Sequence, residues 1–327
     1  MSKIIEFSSS LKLKTKLKLA KFNKAKFFAL ESIRAILYPV AEKKILFSAN
    51  EGDEKDIRSG FRLLRRHHIE FGAFTPENIN KNDLLIPLNI DDVRELLKFP
   101  HLTKNKLIPI PSLKAVNICD DKYLFNETLT SKGFKDLLPK IGNDLPLPFM
   151  LKKKVAACSE NCFIISNPEQ KHNNIELINS PDYFCQEIIQ GKDEYCTHIL
   201  FKDHKIVASL TIKYTFYNGA PASIKYKDKL YYKTICKTPY LDAFSSVLKA
   251  IDYEGLCNFD YKISDGKLKI FEINPRFGGS LSRFFFSFLR KLKEGTITFQ
   301  IWWFSPAIFF IEDLPEFISP ICLLCQA

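Results

Sequence analysis

The order of apolar and polar positions changes character several times along the chain. Residues 11–19 read LKLKTKLKL, a strict alternation. Over 22–37 the apolar residues Phe22, Phe27, Phe28, Leu30, Ile33 and Leu37 recur among lysines at helical spacing. A short apolar run at 43–49, KKILFSA, suits a buried strand, and a polar loop at 50–53 follows it. Next, a helix is expected over 56–67, closed by His67 and His68. Two strands are expected over 69–75 and 83–89, and a helix over 91–99 capped by Asp91. Strands alternating with helices predict a small, mostly parallel α/β layer. After Pro111 the pattern changes to a helix over 121–134 stopped by Gly133, then strands at 149–153, 162–166 and 183–189. From Tyr195 the chain reads as a meander, CTHILF, KIVASLTIKYTF and KLYYKTI, followed by a helix over 242–253. Two last strands, CNFDYKI and KLKIFEI, are joined by Ser264-Asp265-Gly266, a hairpin-turn sequence. The stretch 284–327 is apolar and aromatic. Its run TITFQIWWFSPAIFFI (296–311) is shorter than the ~18–20 residues of a spanning helix and holds Pro306. Core burial, an interfacial segment and an atypical terminus are the readings left for it.

At 327 residues the chain has room for about two domains. Its 46% hydrophobic and 26% charged residues exclude a disordered or collagen-like chain, and 29 Phe supply a large core. The net charge of +11 raises the question of nucleic acid, and its distribution answers it. Residues 1–40 carry nine Lys/Arg against two Glu, which leaves 39 against 35 for all the rest. No Cys/His finger spacing or RNA-binding signature accompanies this basic arm, so nucleic acid is not the expected partner. Two uses of the arm stand side by side: contact with an anionic membrane surface, and packing on the body through its Phe/Leu side. Residues 1–20 lack the apolar centre of a secretory signal. Nine cysteines without framework spacing read as reduced thiols, which predicts a cytoplasmic protein, membrane-peripheral if the arm binds lipid. The pair Cys322 and Cys325 is a weak metal or redox signal on its own.

The chemistry concentrates in one hairpin, NFDYKISDGKLKIFEINPR, residues 258–276. Asp260 and Glu272 stand on opposite sides of the turn, where antiparallel pairing can bring both carboxylates to one face. Asn274, two residues beyond Glu272, points to the same side. Asp, Glu and Asn are hard oxygen ligands suited to Mg²⁺ shared with nucleotide phosphates. Arg276, two further on, offers a planar fork to a phosphate or carboxylate.

The stretch FEINPRFGG resembles the metal-binding Glu-x-Asn-x-Arg signature of the ATP-grasp superfamily, with Asp260 as the acidic partner upstream. The likeness is nearest to the carbamoyl-phosphate-synthase and biotin-carboxylase type and covers about 115–283. Other matches follow in order. Asp121-Lys122 opens a helix, as the family's first phosphate-binding cation does, and Pro148-Phe-Met-Leu-Lys152 resembles the strand that carries the second. Gln186, Glu187 and Ile189 resemble the adenine-binding hinge. Glu194 looks like the residue for the ribose hydroxyls, with Asp193 nearly as good by spacing. Ser159 falls in the segment that resembles the phosphate-covering loop. That segment, 154–161, contains no Gly, which the family's loop usually has.

The resemblance implies an ATP-grasp fold, α/β plus α+β, preceded by a small Rossmann-like domain. It divides the chain into the arm (1–40), an N-terminal α/β domain (41–114), an ATP-grasp domain (115–290, smaller lid subdomain about 120–187) and the apolar tail (291–327). It implies ATP and Mg²⁺ (or Mn²⁺) as cofactors, held by Lys122, Lys152, Asp260, Glu272 and Asn274, with Arg276 and Lys152 assisting transfer. It further implies a ligase that joins a small-molecule carboxylate to an amine through an acylphosphate, releasing ADP and phosphate. The Gly-free loop keeps a second reading open, an ATP-binding regulatory or scaffold protein with little turnover. A third treats the hairpin match as accidental and the basic arm as the active part. The closely spaced Gly278 and Gly279 allow close backbone approach by a carboxylate, or simply turn the chain out of the strand.

Overall fold

The computed structural model describes residues 2–37, 41–49, 51–61, 67–156, 161–216 and 230–292. Helix α1 (Ser2–Leu37) runs unbroken through the alternating stretch at 11–19. Lys and Leu are both good helix formers, and that stretch holds no Gly or Pro to stop them, so propensity overrides the two-residue period. Its far end packs on the body. Phe27 and Phe28 lie with ring centroids 5.4 and 5.5 Å from Phe284. Buried Glu31 accepts two bonds from Arg290, 2.9 and 2.6 Å long.

Strand β1 (Lys44–Phe47), helix α2 (Glu51–Phe61), strand β2 (His68–Phe71), helix α3 (Pro76–Lys81) and strand β3 (Leu84–Ile86) form a parallel layer in the order β2-β1-β3. Two expectations are corrected here. Helix α2 begins earlier than 56, and His68 opens β2 instead of closing a helix. Helix α4 (Ile90–Leu96) is capped by Asn89, not Asp91. Asn89 accepts from the Asp92 amide at 2.8 Å, and Asp92 accepts from the Asn89 amide at 3.3 Å. This reciprocal pair satisfies two orphan amides at once, which Asp91 could not do from inside the first turn.

After α5 (Pro100–Thr103) and α6 (Leu113–Asp120), helix α7 (Lys122–Ser131) starts at Asp121. The Asp121 carboxylate accepts from the amides of Tyr123 and Leu124, both at 2.9 Å. A small antiparallel sheet follows: β4 (Phe149–Lys153), β5 (Cys162–Ile165), helices α8 (Pro168–Asn173) and α9 (Ile175–Ile178), then β6 (Tyr183–Glu187), in the order β5-β4-β6. The large sheet holds β7 (Asp193–Lys202), β8 (Lys205–Phe216), β9 (Leu230–Cys236) and, after α10 (Leu241–Ala250), β10 (Gly255–Ser264) and β11 (Lys267–Asn274). Its order is β11-β10-β7-β8-β9, antiparallel throughout. The β10–β11 turn has positive φ at both Asp265 (51°) and Gly266 (72°), as a two-residue hairpin with the strands' own twist requires. A short helix, α11 (Phe286–Leu289), ends the described chain.

Alternation gives the large sheet two faces. On the back, Ile199, Phe201, Phe259, Tyr261, Ile270 and Ile273 meet Phe244, Val247 and Leu248 of α10 and the apolar sides of α6 and α7. Phe244 sits 4.4 Å from Phe259, ring to ring. Each such aromatic contributes roughly 1.5–3 kcal/mol by leaving water. On the front, the outer part is apolar. Leu200, Leu210, Ile212 and Leu256 pack with Phe277 and Phe285 against β1 and β3 of the parallel layer. The inner part of that face is polar, and the candidate site lies there.

Candidate functional site

The register of β10 and β11 sets Asp260 directly opposite Glu272, and Asn258 opposite Asn274. Strand β7 runs along the other side of β10, with Cys196 opposite Asp260 and Glu194 opposite Lys262. Residues two apart on each strand share the front face, so Asn258, Asp260 and Lys262 stand in a row between Glu272 and Asn274 on one flank and Glu194, Cys196 and His198 on the other.

One amide nitrogen, Asn274 Nδ2, donates to Asp260 Oδ2 at 3.0 Å and to Glu272 Oε1 at 3.3 Å. The two carboxylates therefore converge on a single point. Burial first, and then the charge of Glu272, pushes Asp260 well above the usual carboxylate range. Glu272 goes the other way. Burial alone would raise it, but Lys122 and Lys152 together hold it below its ordinary value. A dication at the point of convergence would relieve the repulsion that Asp260 carries, and an Asn amide turned end for end presents Oδ1 there. Among the described residues, no group of three or more His, Cys, Asp or Glu side chains could cage an ion alone. Two carboxylates and an amide oxygen are hard oxygen donors of the kind that Mg²⁺ takes.

Two lysines face this pair. Lys122 Nζ lies 3.4 Å from Glu272 Oε2 and donates to the Ala156 carbonyl at 2.8 Å. Its backbone amide bonds the Lys154 carbonyl at 3.0 Å, so Lys122 ties the entry of the loop after β4 to the hairpin. Lys152 on β4 donates to Gln186 Oε1 at 2.6 Å and stands 5.5 Å from the centre of the Phe271 ring. Burial lowers its pKa, with Glu272 and Glu194 pulling back.

The residues expected at the hinge divide. Gln186 shares the Lys152 face of the small sheet. Glu187, one residue on, points to the other face, where its carboxylate accepts from the Lys140 amide at 2.8 Å. Ile189 is buried. Glu194 is buried too and lies 3.5 Å from Lys262 Nζ. Asp193 bonds Lys213 and Thr215 at 3.0 and 2.6 Å. Arg276 donates to the Phe277 carbonyl at 2.9 Å, and its charge reaches Asp260, His198 and Asp53. Ser159, the tail 293–327 and Cys322 and Cys325 within it lie outside the described residues.

The sequence reading left out Lys262, which is fully buried, with Nζ 2.9 Å from the Gly191 carbonyl. Its position two residues after Asp260 was the available signal. His198 is completely buried on the site face and pairs with Ser280 Oγ at 2.7 Å. Burial, then the Arg276 charge, takes it down to about 3, so it is neutral. Gly278 closes over it: a Cβ there would meet His198 Cε1 at 2.5 Å and Asn258 Oδ1 at 2.8 Å. The close approach at Gly278 is therefore to the protein's own side chains.

Residues 119–280 match the family model of the ATP-grasp domain. The fold is similar to D-alanine–D-alanine ligase from Bacillus anthracis, solved with ATP, at 13% identity and a TM-score of 0.47, over 72% of this chain and 86% of that one. Biotin carboxylase from Campylobacter jejuni gives 14% and 0.48, over 78% and 72%. N5-carboxyaminoimidazole ribonucleotide synthetase from Thermotoga maritima gives 17% and 0.46, over 72% and 68%. No curated protein matches the sequence. The small sheet, the large sheet and the hairpin, all within residues 119–280, are therefore an ATP-grasp domain, preceded by a parallel α/β layer.

Proposed function

We propose that the protein is an ADP-forming ligase that uses ATP and Mg²⁺ to join a small-molecule carboxylate to an amine. The observation that carries this is the pair Asp260 and Glu272, converging within 3.0 and 3.3 Å of one Asn274 nitrogen and faced by two lysines. Asp260, Glu272 and Asn274 would hold the metal, whose chemistry is to neutralise phosphate charge. Lys122 and Lys152 bind phosphate oxygens, and Lys122 also holds the loop entry through Ala156. Gln186 and the hinge backbone take the base, and Glu194 the ribose. The substrate carboxylate attacks the γ-phosphorus of ATP, the bond to the β-phosphate oxygen breaks, and ADP leaves. An amine then attacks the acyl carbon and expels phosphate. Transfer of this kind needs alignment and charge neutralisation more than covalent help from the protein. Arg276 steadies the transferring group.

Calorimetry tests the reading. ATP binding that requires Mg²⁺ in the wild type and is lost in Asp260→Asn/Glu272→Gln, with an unchanged melting temperature, is the expected result. Equal binding with and without metal would refute it. A second reading, nucleotide binding without turnover, rests on the segment 154–161, which has no Gly where the family's phosphate-covering loop usually has one. Metal-dependent binding with no ADP release across carboxylate and amine panels would select it.

A further inference from the structure

Helix α1 has two apolar sides, and among the described residues only one is packed against the body. Phe27, Phe28 and Glu31 face the body. Leu19, Phe22, Ile33 and Ile36, at i, i+3, i+14 and i+17, fall on the opposite side, whole turns apart. They are 56, 62, 52 and 78% exposed, four of the nine large exposed hydrophobic residues among those described. Lys18 and Lys26 stand one turn on either side of Phe22, and both are exposed. Between Glu6 and Glu31 the helix carries seven lysines and no acid.

We propose that this outer side of α1 docks the protein on an anionic lipid surface. Charge complementarity selects the occupant. A stripe of Leu, Phe and Ile beside lysines, with no acid for most of its length, matches acyl chains below and anionic headgroups around. Lysine stems lie along the apolar surface while their ammonium groups reach the headgroups. The inner side stays on the body, so the helix lies flat between protein and membrane. No described helix is long and apolar enough to cross a membrane. The buried Glu31–Arg290 pair holds the helix in register, which keeps Ile33 and Ile36 outward. This proposal does not depend on the ligase reading.

The test is flotation of the full chain with phosphatidylcholine vesicles, with and without about one third phosphatidylserine. Binding should be at least about tenfold stronger to the anionic vesicles and should fall as salt rises. Leu19→Gln/Phe22→Gln should lower it about tenfold at unchanged melting temperature, since both side chains are exposed. Lys18→Glu/Lys26→Glu should remove the preference for phosphatidylserine. No binding to anionic vesicles at low salt overturns the proposal. So does wild-type binding by Leu19→Gln/Phe22→Gln, which would move the contact to residues 293–327. A wild-type dimer that this variant dissociates would make the stripe an interface between two copies, and would overturn it equally.

Discussion

Two acids on the same sheet face have met opposite solutions. At the hairpin end, Asp260 and Glu272 oppose each other across β10 and β11, and Asp260 carries the cost of the neighbouring charge. At the hinge end, Glu194 is opposite Lys262, a lysine with no exposure that also bonds the Gly191 carbonyl. At the hairpin end the lysines reach Glu272 and leave Asp260 under its neighbour's charge, whereas at the hinge end the acid has a lysine of its own. On the proposed function, the charge left on Asp260 is what a metal ion would relieve.

The largest effect should follow from breaking the built-in pair. Lys262→Met leaves Glu194 buried without its ammonium, which should cost about 3–5 kcal/mol. Adding Glu194→Gln should restore most of that, measured by urea denaturation. Failure of the double variant to recover would mean that the Gly191 contact, not the charge, is what Lys262 supplies.

The hairpin end should behave in reverse. Asp260→Asn removes one of two opposed carboxylates, so stability at neutral pH should stay level or rise. Metal-supported nucleotide binding should meanwhile fall about 100-fold, near 2.7 kcal/mol. Melting curves and calorimetry on one sample separate the two readouts. A variant that loses stability along with binding would contradict the reading that Asp260 is held under the charge of Glu272.

Gly278→Ala comes next, because it strikes the contact shared by both strands. The methyl would meet buried His198 and Asn258, neither of which has room to move, while φ at Gly278 is an ordinary −91°. The loop from Arg276 to Ser280 should lift, at a cost of about 1–3 kcal/mol. Turnover should drop more than nucleotide affinity, because Arg276 moves and the hinge does not. Steady-state kinetics with ATP varied reads the difference.

What could be read from the sequence was whatever depends on local period. The hairpin site was legible because Asp260, Glu272 and Asn274 follow strand alternation around an Asp-Gly turn. Lys122 and Lys152 were legible only through the resemblance of Asp121-Lys122 and Pro148-Phe-Met-Leu-Lys152 to ATP-grasp phosphate-binding segments. The pairing of distant strands was not legible. Only the register of β7 on β10 sets Lys262 against Glu194, and no single segment encodes it. The full burial of His198 was not legible for the same reason, since Gly278, beyond β11, closes over it. The alternation at 11–19 marks no strand, because it does so only where a neighbouring strand exists to pair with it, and a lysine-rich segment without one defaults to helix.

The smallest effect separates two adjacent residues that the sequence treated alike. Gln186 and Glu187 both lie at the end of β6, and alternation sends their side chains to opposite faces. Gln186 meets Lys152 in the cleft, whereas Glu187 receives the Lys140 amide behind it. Glu187→Gln keeps an oxygen for that amide and loses only the charge, so stability should change by about 0.5–1.5 kcal/mol, with nucleotide affinity untouched. Gln186→Leu should shift the preference between ATP and GTP, and should also lower the melting temperature because Lys152 loses its acceptor. Affinity for both nucleotides, measured on the two variants side by side, decides which side chain faces the base. If Glu187→Gln moves that preference and Gln186→Leu does not, the hinge presents its other face to the nucleotide. Lys152 would then be bonded to a residue with no part in binding it.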